Sequence, residues 1–349
     1  MEVFLSCKIT MIIGGKSFLR VRLDYIEIYE EFMRKEQVIK AIKMQSPQYI
    51  PLFFFNKDKD QSDIIKIDIQ KHFGGPENDT SEWGFAWKTK DETMGQPIDC
   101  LIKNWGQLDS FTAPDPYDPD RFNEVIDTVQ SNKDRFLVAG LSLSGFTTMT
   151  LIAGFENVLE GLYVDRENVD RLADMVFGFE ENLIELAADY GFDAVNFADD
   201  WGTQKSLIIS PELWREFFKP RYKKQFELVH SKGMSVIFHC CGNIYDIIPD
   251  FIEIGADVLN LSQPNLFDIT KIGREFGGKV CFMCPVSYQT TSITGTREDI
   301  FDDVRSLVDN LGSYNGGLIG YIEEYHSIGM STENYLSCID AFRELGGNI

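Results

Sequence analysis

From residue 49 onward the chain alternates short apolar runs with longer amphipathic stretches, and this period restricts its fold more than any other feature. Strand-like runs fall at 49–55, 136–141, 194–197, 236–238, 258–261, 280–283 and 318–322. Between most of them apolar residues recur at helical spacing, at 165–190, 211–232, 244–254, 269–276, 297–311 and 332–345. Strand, helix and strand at this period imply right-handed parallel crossovers and an α/β architecture. Seven visible strands, with room for one more, favour a closed TIM (β/α)8 barrel over an open doubly wound sheet. No glycine fingerprint for a dinucleotide follows any strand. The expected organisation is one barrel domain over 33–349, opened by a helix-like segment that runs from Met33 to about residue 44. A long insertion, about 70–130, lies between the first two visible strands. Residues 1–32 read as an N-terminal extension without a convincing signal-peptide pattern.

In such barrels the chemistry gathers at the C-terminal rim, where the loops after the strands converge. Polar and metal-binding side chains occupy that position after successive strands. They are Asp199, Asp200, Trp201 and Gln204, then His239 and Cys241, then Asn260 and Gln263, then Cys284, and last Glu323, Glu324, Tyr325 and His326. Side chains two apart on an extended segment point the same way, so His239 and Cys241 can share one ion while Cys240 faces away. Imidazole nitrogen and thiolate sulfur are zinc ligands, and a catalytic site keeps one position open. The competing reading is a histidine and two thiols packed as small hydrophobes.

Charge narrows the partners. A formal net charge of -22 disfavours nucleic acid and anionic membranes, which attract lysine and arginine. Seven cysteines without a secretory framework spacing read as reduced thiols in a cytoplasmic protein. No apolar run approaches the roughly 20 residues that span a bilayer. A homodimer is compatible with the sequence and not required by it.

The stretch Phe238-His239-Cys240-Cys241-Gly242-Asn243, followed by Ile248-Pro249-Asp250 and by Ile254-Gly255-Ala256-Asp257-Val258-Leu259-Asn260, resembles the uroporphyrinogen decarboxylase superfamily. More closely it is similar to the zinc-dependent, corrinoid-linked methyltransferase branch. Asp199 to Gln204, Ile209-Ser210-Pro211-Glu212 and Phe217-Phe218-Lys219-Pro220 fit the middle section of the same superfamily. The resemblance spans about residues 33–347, and His-x-Cys-Gly-Asn is its most specific part. The early arginine-rich segment that grips porphyrinogen carboxylates in the decarboxylases has no counterpart, because the first strand leads into Phe53-Phe54-Phe55-Asn56-Lys57-Asp58.

The resemblance implies methyl transfer between a small-molecule methyl donor and the cobalt of a corrinoid (cobalamin) carried by a separate corrinoid-binding protein, with Zn2+ bound by His239, Cys241 and a third ligand. In the thiol-activating relatives that ligand is a cysteine after a late strand; here Glu324 stands at the matching place, with Cys284 as the competitor. A carboxylate is a harder ligand than a thiolate and suits an oxygen substrate, so the expected reaction is demethylation of a methoxylated, aromatic donor. Methylation of a thiol and metal-free decarboxylation are the alternatives. Asp199 or Asp200, with Gln204, would serve the proton on the leaving oxygen, or the aspartates would merely cap the next helix. Phe54, Trp83, Trp201, Asn260, Gln263 and Tyr325 are the expected substrate-binding side chains, and the insertion the expected lid.

Overall fold

In the computed structural model, which describes residues 34–71, 80–88 and 96–347, eight parallel strands form a nearly closed barrel ringed by helices. The strands are β1 (Leu52–Phe54), β2 (Ile64–Asp68), β3 (Phe136–Leu141), β4 (Ala194–Ala198), β5 (Ser235–Cys240), β6 (Val258–Leu261), β7 (Cys281–Cys284) and β8 (Leu318–Ile322). Their order around the sheet is β1-β8-β7-β6-β5-β4-β3-β2, and every ladder is parallel. The extension 1–32 lies outside the described residues.

Parallel strands buried on both faces read as continuous apolar runs, and β3 (FLVAGL) is buried throughout. Alternate residues divide between two cores. Phe53, Val138, Ile237, Met283 and Ile319 fill the lumen, while Phe54, Leu137, Phe197, Phe238 and Phe282 meet the helices. A helix over 34–42 sends Val38, Ala41 and Ile42 into the lumen core and closes the barrel floor. Helix starts follow the side-chain signals: Ser210 accepts from the Leu213 amide with Pro211 next in line, and Ser331 accepts from the Asn334 amide.

Four sequence expectations change. The unseen strand is β2, Ile-Ile-Lys-Ile-Asp, hidden because it follows β1 after a single 3-10 turn (Lys59–Gln61) and carries two charges. The insertion therefore lies between β2 and β3. The stretch 211–232 is two helices, Pro211–Phe217 and Lys219–Ser231, because Pro220 supplies no amide hydrogen across the junction. Helices Asn123–Ser131, Gly145–Ala153 and Phe155–Val164 were not legible as separate elements.

Between β1 and β2 side chains replace a backbone ladder. The Asp63 carboxylate accepts from the Leu52 amide (2.8 Å) and the Tyr49 hydroxyl (3.0 Å), and Ser62 Oγ accepts from the Phe54 amide (3.0 Å). Exposed strand edges are thus satisfied without a ninth strand. The described part of the insertion is clasped by Arg121, whose guanidinium reaches both Glu82 oxygens and the carbonyls of Ile69, Asp115 and Pro116.

Behind β4, the helix Arg166–Asp189 buries Glu180, which accepts from the Gly145 amide (2.8 Å) and Gln225 Nε2 (2.7 Å). Burial pushes its pKa up to about 8. Above the ordinary glutamate range the unfolded chain has lost a proton that the folded chain keeps, so stability falls as pH rises until about 8. Each pH unit in that window costs about 1.4 kcal/mol for one such group. In thermal melts from pH 5 to pH 8 we expect Glu180→Gln to lose less stability than wild type. Parallel curves would show that Glu180 is ionised throughout.

Candidate active site

The lumen face of β4 carries Ala194, Asn196 and Ala198, and the same alternation brings Asp200 to the mouth while Asp199 turns toward the helices. Asp199 is fully buried. It accepts from the amides of Phe146 and Thr147 (2.8 Å each), from Thr147 Oγ1 (2.6 Å) and from the Tyr222 hydroxyl. Burial pushes its pKa up to about 7, and its place is the N-terminus of helix Gly145–Ala153. It faces no lumen, so the expectation of a catalytic Asp199 is corrected: Asp199 caps a helix, the one after β3 rather than the next in the chain.

Asp200 behaves differently. Its Oδ1 accepts from the Cys241 amide at 2.7 Å, which ties the end of β4 to the loop after β5. One oxygen of Asp200, one imidazole nitrogen of His239 and Sγ of Cys241 all lie within 4.8 Å of one another. His239 Nε2 and Cys241 Sγ are 3.8 Å apart. Two tetrahedral zinc ligands with ordinary Zn–N and Zn–S lengths sit about 3.5 Å apart, so the donor set fits that ion with small adjustment. Three protein ligands leave one position for substrate.

The expected third ligands lie elsewhere. Glu324 exchanges backbone hydrogen bonds with the Asn56 side chain (2.8 and 2.9 Å), and its carboxylate receives the His326 amide and faces Lys57. It staples the β1 and β8 loops together. Cys284 is fully buried on the helix side of β7, where burial drives its thiol pKa upward. Lumen alternation along β7 gives Cys281 and Met283, which leaves Cys284 on the wrong face. Neither Glu324 nor Cys284 joins His239 and Cys241; the carboxylate that does is Asp200.

Around the three converging groups the loops hold one geometry. Asn260 Oδ1 lies 2.6 Å from His239 Nδ1, and Asn260 Nδ2 donates to the Met283 carbonyl at 2.9 Å. That second bond fixes the amide, so Oδ1 is the acceptor, Nδ1 of His239 carries the hydrogen, and Nε2 presents its lone pair to the cluster. Asn260 thus orients a ligand, where the sequence suggested substrate contact. Gln263 Oε1 accepts from the Gly242 amide (2.7 Å), and Gln204 reaches the site only through Gln263, at 3.5 Å.

Three aromatic expectations are corrected by burial. Trp201 is fully buried against Phe146 and donates to the Tyr222 hydroxyl. Trp83 packs on Phe111 and Phe179, and Phe54 belongs to the helix-side core. Tyr325 does reach the mouth, stacked on Tyr288 with ring centroids 4.6 Å apart. Glu323, named among the rim residues in the sequence but given no role there, continues the lumen series Ile319, Tyr321. It accepts from the hydroxyls of Tyr321 (2.9 Å) and Tyr325 (2.8 Å). Burial raises its pKa, with those phenols and the nearby His239 pulling the other way. Alternation along β8 separates Glu323 from Glu324, and that signal was available.

Comparison with known proteins follows this geometry. A model of the uroporphyrinogen decarboxylase (URO-D) family matches residues 92–325, well over half of the chain. A search of curated proteins finds no match. Among solved structures, a methyltransferase from Methanosarcina mazei superposes with a TM-score of 0.60, at 16% identity over 75% of this chain and 76% of that one. A chitinase from Chromobacterium violaceum (TM-score 0.40, 10% identity, 84% and 98% covered) and a D-psicose 3-epimerase from Clostridium cellulolyticum H10 (0.43, 12%, 70% and 88%) are more distant barrels. At these identities the likeness concerns fold alone.

Proposed function

Because this chain belongs to the uroporphyrinogen decarboxylase (URO-D) family, we propose that it is a zinc-dependent methyltransferase of that family, moving a methyl group from a methoxylated aromatic donor to the Co(I) corrinoid of a partner protein. The observation that carries this reading is the convergence of Asp200, His239 and Cys241 at the barrel mouth. Zinc bound there would supply Lewis acidity toward the donor's oxygen. The barrel similarity to a protein described as a methyltransferase supports the same direction. So does the makeup of the mouth, where Asp200 and Glu323 stand near the converging His239 and Cys241, an environment hostile to the many carboxylates of a porphyrinogen.

The chain's own residues divide the work. Tyr288 and Tyr325 form a stacked wall that suits a flat ring. In the transfer, the methyl carbon bonds to cobalt through the Co(I) electron pair, and the C–O pair stays on the departing oxygen. That oxygen needs a proton. Glu323, which accepts from the Tyr321 and Tyr325 hydroxyls and whose pKa burial raises, is the group we assign to supply it. The insertion beside the mouth belongs to the same proposal as a cover that keeps water from the cobalt. No helix among the described residues is long and apolar enough to cross a membrane, and the corrinoid would arrive on a protein partner.

The test is anaerobic incubation of the zinc-loaded protein with cob(I)alamin and, in separate reactions, methoxylated aromatics, methanol and methylated thiols, alongside a porphyrinogen assay for released CO2. Demethylation of the aromatic donors is expected. Transfer only to or from thiols, or CO2 release without methyl transfer, would overturn the proposal.

A further inference from the structure

One hydroxyl at the mouth stands against the cluster without being one of its three donors. The lumen face of β6 carries Val258 and Asn260, and the same alternation places Ser262 one step past the strand end. Ser262 is 7% exposed, and its Oγ lies 3.3 Å from His239 Nδ1 and 3.5 Å from His239 Nε2. Its side chain also hydrogen-bonds that of Cys241. The loops keep the two side chains together, because Gln263, next after Ser262, accepts at 2.7 Å from the amide of Gly242, next after Cys241.

A buried hydroxyl needs an acceptor for its hydrogen. The imidazole is a poor one, since Nδ1 carries the hydrogen that Asn260 receives and the Nε2 lone pair is turned to the cluster. Among the described residues, that leaves the sulfur of Cys241. The consequence is chemical. A thiolate is a nucleophile, and here it stands beside a methyl group on a leaving oxygen. If the sulfur pair took that carbon, an S–C bond would form, the C–O pair would leave with the oxygen, and Cys241 would become a thioether. A neutral thioether lacks the charge with which a thiolate holds zinc, so one misdirected transfer would end the site. A hydrogen bond to the thiolate stabilises its charge and lowers its reactivity toward carbon.

We propose that Ser262 protects Cys241 from methylation, its hydroxyl donating to the ligand sulfur so that the methyl group passes to its acceptor and not to the protein. This rests on the zinc and methyl-transfer reading above. Ser262 is a positioning residue that acts through Cys241, and the bond from Gly242 to Gln263 holds the pair in register.

The experiment treats the zinc-loaded wild type, Ser262→Ala and Ser262→Thr with iodoacetamide and follows Cys241 by peptide mass spectrometry. In this reaction the sulfur pair forms the S–C bond and iodide leaves. Cys241 should react about tenfold faster in Ser262→Ala, the factor that corresponds to one hydrogen bond to a charged acceptor, and Ser262→Thr should return it toward the wild-type rate. Cys100, the other half-buried thiol among the described residues, should react alike in all three. With Co(II) in place of zinc, the sulfur-to-metal charge-transfer band should move to longer wavelength in Ser262→Ala alone, which a packing role for Ser262 would not produce. Melting curves establish that each variant is folded. Equal alkylation rates in metal-loaded wild type and Ser262→Ala, an unmoved band, or loss of zinc from Ser262→Ala overturns the protective role alone. A wild type that binds neither metal overturns the zinc reading, and this inference with it.

Discussion

Asp200→Ala, His239→Ala and Cys241→Ala are each expected to yield a folded barrel that no longer retains zinc through gel filtration and turns over at least a thousandfold more slowly. Each removes one of three converging donors. Outer-shell partners of metal sites are typically worth 10–100-fold in affinity, so loss of a direct ligand should exceed that range. Asn260→Ala tests the lower level: His239 loses the 2.6 Å contact that sets its tautomer, and affinity should fall by about 10–100-fold. The informative controls are the residues that the sequence nominated and the structure moved away. Glu324→Gln should keep zinc, because Glu324 serves the loop contacts to Asn56 and Lys57. Cys284→Ala should keep zinc and lose stability, because it opens space in a packed core. Metal analysis by mass spectrometry reads all six variants, and zinc loss in Glu324→Gln with retention in Asp200→Ala would reverse the assignment.

Gly242→Ala should be nearly as damaging without touching a ligand. Gly242 has φ +79°, and a Cβ on it would lie 2.0 Å from the Gly202 carbonyl oxygen and 2.1 Å from its carbon. The obstruction is backbone, with no flexible side chain to swing aside. The opposite substitution, Gly202→Ala, meets Asn243 N and Gly242 C at 2.4 Å. These two glycines let the loop bearing Asp200 lie directly on the loop bearing Cys241, joined by Gly202 N to Cys241 O (3.2 Å) and Asn243 N to Thr203 O (2.8 Å). Forcing them apart separates two ligands by more than a zinc site tolerates. We expect Gly242→Ala to cost more than about 3 kcal/mol, combining positive-φ strain with overpacking, and to abolish zinc retention. Gly191→Ala is the matched control. Its φ is +84°, yet nothing lies within 4 Å of the added carbon, so only the backbone strain of about 1 kcal/mol remains. A Gly242→Ala protein that melts like Gly191→Ala and keeps zinc would show that the two loops move independently.

The barrel was legible because seven of its strands are mainly apolar runs and its helices keep their period. β2 escaped because Lys66 and Asp68 break its apolar run. His239 and Cys241 stand together in sequence and in space. Asp200 and Glu323, both named in the sequence, could have been set on the side of His239 and Cys241 by extending the two-residue alternation of β4 and β8 past the strand ends; matching a distant family's late ligand pointed to Glu324 instead. The aromatic wall was harder to read. Trp201, Trp83 and Phe54 carry the same composition signal as Tyr288 and Tyr325, and only packing distinguishes a ring that fills a core from one that faces a ligand. The pairing of Gly202 with Gly242 joins loops from two strands, and neighbouring sequence contains no trace of it.

Zinc K-edge X-ray absorption of the zinc-loaded wild-type protein tests the central claim most directly, since it counts sulfur neighbours without relying on activity. One sulfur at about 2.3 Å with two or three nitrogen or oxygen neighbours at about 2.0–2.1 Å is the expected shell for Asp200, His239 and Cys241 with an open position. Two sulfurs, or a protein that binds no zinc stoichiometrically, would contradict it.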